Sequence, residues 1–326
     1  MKMKKINIMK KSVFLIILVC SGFLLKGQTG TPLAMYAGNQ LIYNPAFAGA
    51  YDLFSANLSV RKLWIDIPNS PSLISFNAHA PFRNQRNAVG FIYQREVWGP
   101  QFVHMTNVTY AHKIMLGGSS FLSLGVQAGL FNSVTDWDMV WDIMHPQDPH
   151  RPEDGGRLVT NRFDMNLGAY LQSEDFYLGV SVRHLTMPRF DEVRLNIGGT
   201  MEVYRSQVQR QFFVMGGYNF ALSRELDLRP HFLARHKPGT PTSLSVGANL
   251  VYDNRFFVGS NFMTGQRAVS LVFMAEVMEG LRVGYSFDMH FGIIRAFQRG
   301  SHEISVNYFI PLWNQADDVR VRRNWQ

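Results

Sequence analysis

Apolar and polar residues alternate along most of the chain from residue 53 onward. In residues 119–132, for example, Leu122 and Leu124 alternate with Ser123 and Gly125. This spacing is that of a β-strand, whose successive side chains point to opposite faces. We identify fourteen such segments, most of them 9 to 14 residues long: 53–62, 72–80, 87–97, 102–115, 119–132, 161–171, 175–185, 208–220, 227–236, 241–251, 255–264, 267–276, 280–289 and 301–310.

The length of these segments favours strands that cross a membrane. A tilted strand needs about 9–11 residues to cross a bilayer, whereas the strands of globular proteins average about 5–6 residues. The connections also alternate in length, as they do in outer-membrane barrels, which have short periplasmic turns and longer outer loops. The short connections include 116–118, 172–174, 252–254 and 277–279, and the long ones are 133–160, 186–207 and 290–300.

The two faces of the predicted strands differ in polarity. One face is apolar and almost free of charge. The other carries six basic and four acidic residues: Arg61, Arg162, Asp164, Arg183, Arg229, Arg235, Glu276, Arg282, Asp288 and Glu303. Fourteen strands form a barrel too wide for side chains to fill, and Arg or Lys on a lipid face costs about 2–4 kcal/mol at the midplane. We therefore expect an all-β, transmembrane antiparallel barrel with its apolar face toward lipid. A secreted β-sandwich is the alternative.

The near balance of the inward charges bears on the lumen. A set of mixed sign favours an ion-paired network that braces or plugs the barrel over an ion-selective pore. We expect the barrel to occupy residues 53–310. Residues 28–52 precede it as a periplasmic segment, either a lead-in tucked against the barrel mouth or a plug or docking element. Residues 311–326 follow it as a periplasmic tail.

The first 27 residues predict export. They hold six lysines, no acidic residue and an apolar run over 13–25, the pattern of a cleaved secretory signal peptide. We expect cleavage before Gln28. The mature chain then contains no cysteine, because Cys20 is the only one. Disulfides, thiolate catalysis and cysteine-based zinc sites are thereby excluded.

Composition and motifs narrow the classes of function further. Outside the leader the chain has 26 basic and 24 acidic residues, without the basic cluster that nucleic acid requires. It has no G-x-S-x-G, H-E-x-x-H, phosphate-loop or dinucleotide-loop motif. His and acidic residues in 145–154, and Asp136, Asp138 and Asp142, are metal-ligand types, but we interpret them as parts of a polar outer loop. We predict no enzyme activity, no cofactor and no bound metal.

Candidate partner-contacting residues are aromatic or conformationally restricted. Residues 40–51 are apolar and aromatic, yet Pro45 and Gly49 interrupt any strand or helix. Trp137 and Trp141 alternate with acidic residues in a long connection, which fits an aromatic girdle or a protein-contact surface. The full set of candidate docking residues is Tyr43, Asn44, Pro45, Phe47, Gly49, Trp64, Trp137, Trp141 and Trp325.

Several motifs resemble those of one protein family. Residues 40–49, Q-L-I-Y-N-P-A-F-A-G, are similar to the N-P-A-Y-A-G signature of the PorP/SprF family, outer-membrane proteins of the type IX secretion and gliding systems of Bacteroidetes. Further matches follow in the family's order: R-K-L-W at 61–64, S to P-F at 72–82, G to G-P-Q at 90–101 and G-S-H-E-I at 300–304. Two features depart from the family: T-P-L at 31–33 replaces the usual Asp-Pro-x-Phe lead-in, and the tail past Phe309 is longer.

The resemblance implies a non-enzymatic role at the cell outer membrane. Members of the family act with the type IX secretion machinery, or deliver and anchor particular secreted adhesins at the cell surface. The expected partners are type IX components, a secreted surface protein such as a gliding adhesin, and outer-membrane lipid. Outer loops 133–160 and 186–207 are the expected cargo contacts. A porin or a hydrophobic-solute channel is the alternative function.

Overall fold

The computed structural model describes residues 31–144, 156–190, 193–197, 200–204 and 207–312. Within these ranges the strands, in chain order, are β1 (Phe54–Lys62), β2 (Ser72–Pro81), β3 (Asn87–Trp98), β4 (Gln101–Gly117), β5 (Ser120–Asp136), β6 (Arg157–Gln172), β7 (Phe176–Arg183), β8 (Val193–Ile197), β9 (Thr200–Tyr204), β10 (Gln211–Tyr218), β11 (Phe220–Ala221), β12 (Leu226–His236), β13 (Ser243–Tyr252), β14 (Phe256–Met263), β15 (Ala268–Met278), β16 (Leu281–His290) and β17 (Ser301–Ile310). Fourteen of them form one closed antiparallel barrel, which confirms the predicted fold. The other three are the β8–β9 hairpin and the two-residue β11, which pairs beside β12.

The barrel closes where its first strand meets its last. β1 pairs with β17 from Phe54↔Ile310 to Lys62↔His302. Elsewhere each barrel strand pairs with the next one along the chain, and β7 pairs with β10 because the β8–β9 hairpin lies outside the barrel sheet. Within the described residues, closure leaves no strand of the barrel at an open edge, a requirement for any sheet that spans a membrane.

The wall is apolar outside and polar inside. Along β1, the side chains of Asn57, Ser59 and Arg61 are buried, whereas those of Leu58 and Val60 are exposed. The same inversion recurs around the barrel, where most of the exposed large side chains are apolar and many of the buried ones are polar. An outward apolar band is what a bilayer requires, so the chain is an outer-membrane barrel with a polar lumen.

The two ends of the barrel differ in their connections. One end carries short turns, and we call it the short-turn end: 118–119, 173–175, 253–255 and 279–280 are examples. The opposite, long-loop end carries 137–156, 184–210 and 291–300. The first of these begins with a helix, α1 (Trp137–Met144). No helix within the described ranges is long and apolar enough to cross a membrane.

The structure extends some of the predicted elements. Strands β4, β5 and β6 contain 17, 17 and 16 residues, and most of the added residues lie at the long-loop end. At that end the strands continue beyond the region where apolar and polar residues alternate regularly. Alternation therefore could not predict where these strands end. The stretch 186–207, predicted as an outer loop, contains the β8–β9 hairpin. The predicted leader at 1–27 and residues 313–326 of the predicted tail lie outside the described residues.

Residues 31–53 lie inside the barrel, and we call them the lumen segment. Leu33, Ala46 and Phe47 are buried in the main apolar cluster of the protein, together with wall residues such as Leu73 and Tyr170. The segment begins beside Glu303, near the long-loop end, and joins β1 at the short-turn end. It therefore runs through the lumen along most of the length of the wall.

Leu271 tests the orientation of the wall. Its side chain is exposed near the middle of β15, so Leu271→Arg places a charge on the lipid face at an expected cost of about 2–4 kcal/mol. Urea titration of the protein in lipid vesicles, followed by the heat-dependent shift in gel mobility, measures that cost. Ile293→Arg, in the long connection 291–300, is the control and should cost under about 1 kcal/mol. Equal costs would contradict the assigned lipid face.

Candidate functional site

The lumen segment folds into three short 3-10 turns, Tyr36–Gly38, Gln40–Ile42 and Pro45–Phe47. Pro45 opens the last turn because its fixed φ suits a helical start and its missing N–H needs no partner there. Asn44 caps the same turn: its Oδ1 accepts a hydrogen bond from the Ala46 backbone N–H at 3.0 Å. The N-P-A sequence therefore favours a compact turn, which is closed by hydrogen bonds within residues 44–48.

Asn44 also attaches the lumen segment to the wall. Its Nδ2 donates to the backbone oxygens of Ala169 at 2.9 Å and Val180 at 3.3 Å, on strands β6 and β7. The side chain is fully buried, and all its polar atoms are used. Loss of such a group leaves buried partners unsatisfied, at a cost of roughly 1–3 kcal/mol.

Three wall glycines make room for this attachment, and we call them the glycine notch: Gly125, Gly168 and Gly179. A Cβ at Gly168 would lie 2.0 Å from Asn44 Oδ1, and one at Gly125 would lie 2.3 Å from the Ala46 nitrogen. At Gly179 the nearest atom is Asn44 Nδ2, at 2.8 Å. Any side chain at these positions would displace the lumen segment, so the notch and the N-P-A turn are complementary in shape.

Aromatic rings fill the lumen beside the notch. Phe47 makes edge-to-face contacts with Tyr51, His79 and Tyr170, at centroid distances of 5.0, 5.5 and 5.4 Å. Gly49 donates its N–H to His79 Nδ1 at 3.0 Å. It has φ +73°, and a Cβ there would lie 2.4 Å from the Cβ of Ala88. Both the backbone conformation and the close approach therefore require glycine.

Buried charges hold the first residues of the lumen segment. Glu303 on β17 accepts hydrogen bonds from the backbone N–H groups of Ala34, at 2.7 Å, and Met35, at 3.2 Å. Arg61 on β1 donates to Glu303 at 2.9 Å and pairs with Asp288 on β16. All three charged side chains are fully buried. Charges in such a setting persist only when they are paired and hydrogen-bonded. We call these three residues the seam cluster, and they form an ion-paired network of the kind expected from the mixed signs of the inward charges.

A second set of cations closes the short-turn end. Lys113 lies 2.5 Å from Asp52, in the lumen segment, and 4.9 Å from the centre of the Phe121 ring. Arg282 lies over the rings of Phe257 and Phe309, at 4.8 and 5.3 Å. These contacts pack charged and aromatic side chains across the lumen beside the point where the segment joins β1.

The long-loop end contains a cavity of about 630 Å³. Its floor includes Thr31, Pro32, Ile42 and Tyr43 of the lumen segment. Its walls combine aromatic and apolar side chains with three basic residues: Leu73, Trp98, Val103, Met105, Phe131, Trp137, Phe190, Phe213, Arg183, Arg235 and Lys237. A volume of this size is typical of a binding site for a small organic molecule.

His184 borders this cavity, just past the end of β7. Its Nδ1 lies 2.6 Å from Asp164 Oδ2, and its backbone N–H donates to Asn166 at 2.8 Å. Burial lowers the pKa of His184, and the hydrogen bond to Asp164 only partly opposes that effect. The imidazole is therefore neutral near pH 7 and donates to the carboxylate.

The structure brings together some of the predicted docking residues and separates others. Tyr43, Asn44, Pro45, Phe47 and Gly49 lie together in the lumen segment, and all are buried. Their contacts are with the barrel wall rather than with solvent.

Of the four predicted tryptophans, the two with described side chains, Trp64 and Trp137, lie at the long-loop end. Trp64 is half-buried in the connection after β1, with its ring against His290, and Trp137 lines the cavity. Trp141 belongs to α1, but its side chain and all of Trp325 lie outside the described residues.

Sequence reasoning missed the glycine notch, because glycines at polar positions of an alternating strand have no distinguishing pattern.

One apolar surface stands clear of the wall. Ile293 and Phe297, in the 3-10 turn Ile293–Phe297 of the connection 291–300, are 87% and 67% exposed. Both lie at the long-loop end, the end that also contains the cavity. We call this pair the loop patch.

No group of His, Cys, Asp and Glu side chains in the described ranges is arranged to hold a metal.

Comparison with known proteins finds one matching family and several solved structures that resemble this fold. The sequence model of a family described as type IX secretion system membrane protein PorP/SprF matches residues 26–308. A search of curated proteins finds no match. Among solved structures, the Pseudomonas putida toluene transporter TodX aligns over 88% of this chain and 95% of its own, with 10% identity and a TM-score of 0.47. The Acinetobacter baumannii outer membrane protein Omp33 aligns over 79% and 98%, with 8% identity and a TM-score of 0.45. The CymD monoaromatic hydrocarbon channel aligns over 86% and 95%, with 9% identity and a TM-score of 0.48.

Gly125→Ala tests the fit between the notch and the lumen segment. The added methyl collides with the Ala46 backbone, so the segment must shift. Gly38→Ala is the matched control, because a Cβ there meets nothing within 4 Å. The sequence has one cysteine, in the predicted leader, so Ala48→Cys in both backgrounds gives a single reporter at a buried site. We expect Gly125→Ala to speed maleimide labelling about tenfold or more, and Gly38→Ala to leave it unchanged. Equal labelling rates in the two backgrounds would contradict the notch.

Proposed function

The chain belongs to the PorP/SprF family of type IX secretion system membrane proteins, and from that membership we propose that it is a non-enzymatic scaffold of the secretion system. In this role it supports the secretion or surface anchoring of particular cargo, such as gliding adhesins, through protein–protein contacts. Its partners would be other type IX components, the cargo, or both. The barrel supplies a fixed position in the outer membrane, and its ends supply the contacts.

The observation that carries this proposal is the occupied lumen. The lumen segment is buried along the barrel, with Asn44 in the glycine notch and Glu303 on its first backbone amides. A chain that fills its own lumen in this way is suited to binding partners at its ends rather than to passing solutes through the centre. The lumen segment then acts by keeping the barrel rigid, and its docking role is indirect.

We assign the partner contacts to the long-loop end, which in outer-membrane barrels faces the cell surface. The loop patch offers two largely exposed apolar side chains four residues apart, and contiguous exposed apolar surface is typical of interaction sites. The connections 137–156 and 184–210 surround the same end. Cargo would contact these loops, and periplasmic components would meet the short-turn end.

A second candidate function is a porin or a channel for hydrophobic solutes. The observation that favours it is the aromatic-walled cavity at the long-loop end. A channel would also need a route past the floor of that cavity, so the lumen segment would have to move during each passage. The two candidates therefore differ in what they predict for conduction.

Conductance in planar bilayers separates the two candidates. We expect the wild-type barrel to be nearly silent, and a variant without residues 33–50 to conduct ions steadily, because the segment that blocks the lumen is gone. Heat-dependent gel mobility confirms that the deletion variant still forms a barrel. Porin-like conductance of the wild-type protein, equal to that of the deletion variant, would favour the channel and contradict the scaffold.

The loop patch can be tested in cells that secrete the cargo. We expect Ile293→Ser with Phe297→Ser to reduce the surface-displayed cargo several-fold, because the exposed apolar contact is lost while the barrel wall is untouched. Leu222→Ser is the matched control: it is an exposed apolar residue in a turn at the short-turn end. Quantitative immunolabelling of intact cells gives the readout. Unchanged display in the double variant would remove the loop patch from the proposal.

A further inference from the structure

We propose that the cavity at the long-loop end is a binding site for an amphipathic carboxylate, a single carboxylate group joined to an apolar body. The shared chemistry could come from a free fatty acid or from the carboxyl terminus of an apolar peptide. The inference rests on the cavity itself and does not depend on a role in secretion.

The basic residues of the cavity come from the two strands that flank β10 and from the residue after one of them. Arg183 ends β7 and pairs in register with Gln211 of β10, while Arg235 of β12 pairs with Phe213 of the same β10. Lys237 follows directly after β12. All five side chains line the cavity. The sheet therefore gathers three cationic groups on one side of the cavity.

Arg183 has capacity for a further acceptor. Its side chain is more than nine-tenths buried, at 8% residue exposure. Its Nη2 makes long contacts, 3.3 Å to Gln94 Oε1 and 3.5 Å to the Met105 sulfur. Its Nε has no hydrogen-bond partner in the described residues. Because a charge-assisted hydrogen bond to a carboxylate is short and strong, an anionic acceptor that reaches the Arg183 guanidinium would be favoured over these long contacts.

The charge of the lining favours a single negative charge on the ligand. Glu96 lines the same cavity and interacts electrostatically with Arg183 and Arg235. The three basic side chains outnumber this one carboxylate, so the lining as a whole favours an anionic ligand. A planar carboxylate matches a guanidinium fork, whereas a phosphate dianion would place a second negative charge in the space that holds Glu96.

The remaining walls suit an apolar body. Phe131, Phe190 and Phe213 lie in the cavity with Val103 and Met105, so most of a bound molecule would contact carbon atoms. About 630 Å³ is within the range that accommodates a drug-sized ligand. A head that pairs with Arg183 would leave space for a chain of about ten carbons or a few residues.

The floor makes the cavity a blind chamber. Thr31, Pro32, Ile42 and Tyr43 of the lumen segment close its inner side, and the segment is fixed below them by Glu303 and the glycine notch. A ligand would therefore enter and leave through the long-loop end. This arrangement is that of a receptor pocket rather than of a conduction path.

Calorimetric titration of the full chain in nanodiscs tests the proposal with two matched pairs of probes. The first pair is dodecanoate and dodecanol, and the second is an acetylated phenylalanine-alanine tetrapeptide as free acid and as amide. We expect at least one acid to bind about tenfold or more tightly than its neutral partner, because only the carboxylate forms a charge-assisted hydrogen bond with the guanidinium. The pair that shows the difference identifies the source of the carboxylate.

Variants place the binding in the cavity. Arg183→Gln should weaken the binding of the acid about tenfold or more and leave the neutral probe unchanged, and Arg235→Gln provides a second test if Arg183→Gln does not form a barrel. Arg162→Gln, at an arginine outside the cavity lining, is the control. Equal affinities for acid and neutral probes, no binding of either acid at millimolar concentration, or acid binding that Arg183→Gln and Arg235→Gln leave intact would each overturn the proposal.

Discussion

A fourteen-stranded barrel is too wide for its own wall to fill, and the structure depends on how this chain meets that constraint. Residues 31–53 supply the missing material. They place Leu33, Ala46 and Phe47 in an apolar cluster inside a wall whose lumen face is largely polar. Several of the polar groups that remain are paired with one another, as Asn57 is with Asn307, or with backbone atoms of the segment, as Glu303 is with Ala34. The inverted wall and the buried lumen segment are thus two parts of one solution.

The seam of the barrel and the position of the lumen segment are coupled. Arg61 on the first strand and Glu303 on the last are paired in register where the barrel closes. The same Glu303 carboxylate accepts hydrogen bonds from the backbone N–H groups of Ala34 and Met35. Arg61 and Glu303 belong to two of the motifs that resemble the PorP/SprF family, at 61–64 and 300–304. Through Glu303 they hold the lumen segment, which carries another of these motifs, N-P-A-F-A-G. This coupling gives a physical reason for their presence in one chain.

The wall could be predicted from sequence much better than the lumen. All fourteen barrel strands follow from alternation, because a lipid face and a polar lumen impose opposite polarity on successive residues; β17 spans the predicted 301–310 without change. The predicted strand ends are wrong where a strand continues beyond the alternating region. For example, β5 continues to Asp136. The glycine notch could not be recognised either. Gly125 and Gly168 interact with Asn44 and its neighbours only after the chain has folded, and nothing in their local sequence indicates it.

The central claim is that the lumen segment is bound inside the barrel, and hydrogen–deuterium exchange of the lipid-embedded protein tests it most directly. The amides of Ala34 and Gly49 donate to Glu303 and His79 in the interior, so exchange there requires the segment to leave the wall. Peptides covering 31–53 should be protected to a degree similar to that of the barrel strands. Exchange of these peptides at the rate of an unstructured chain, with the strands still protected, would contradict the account.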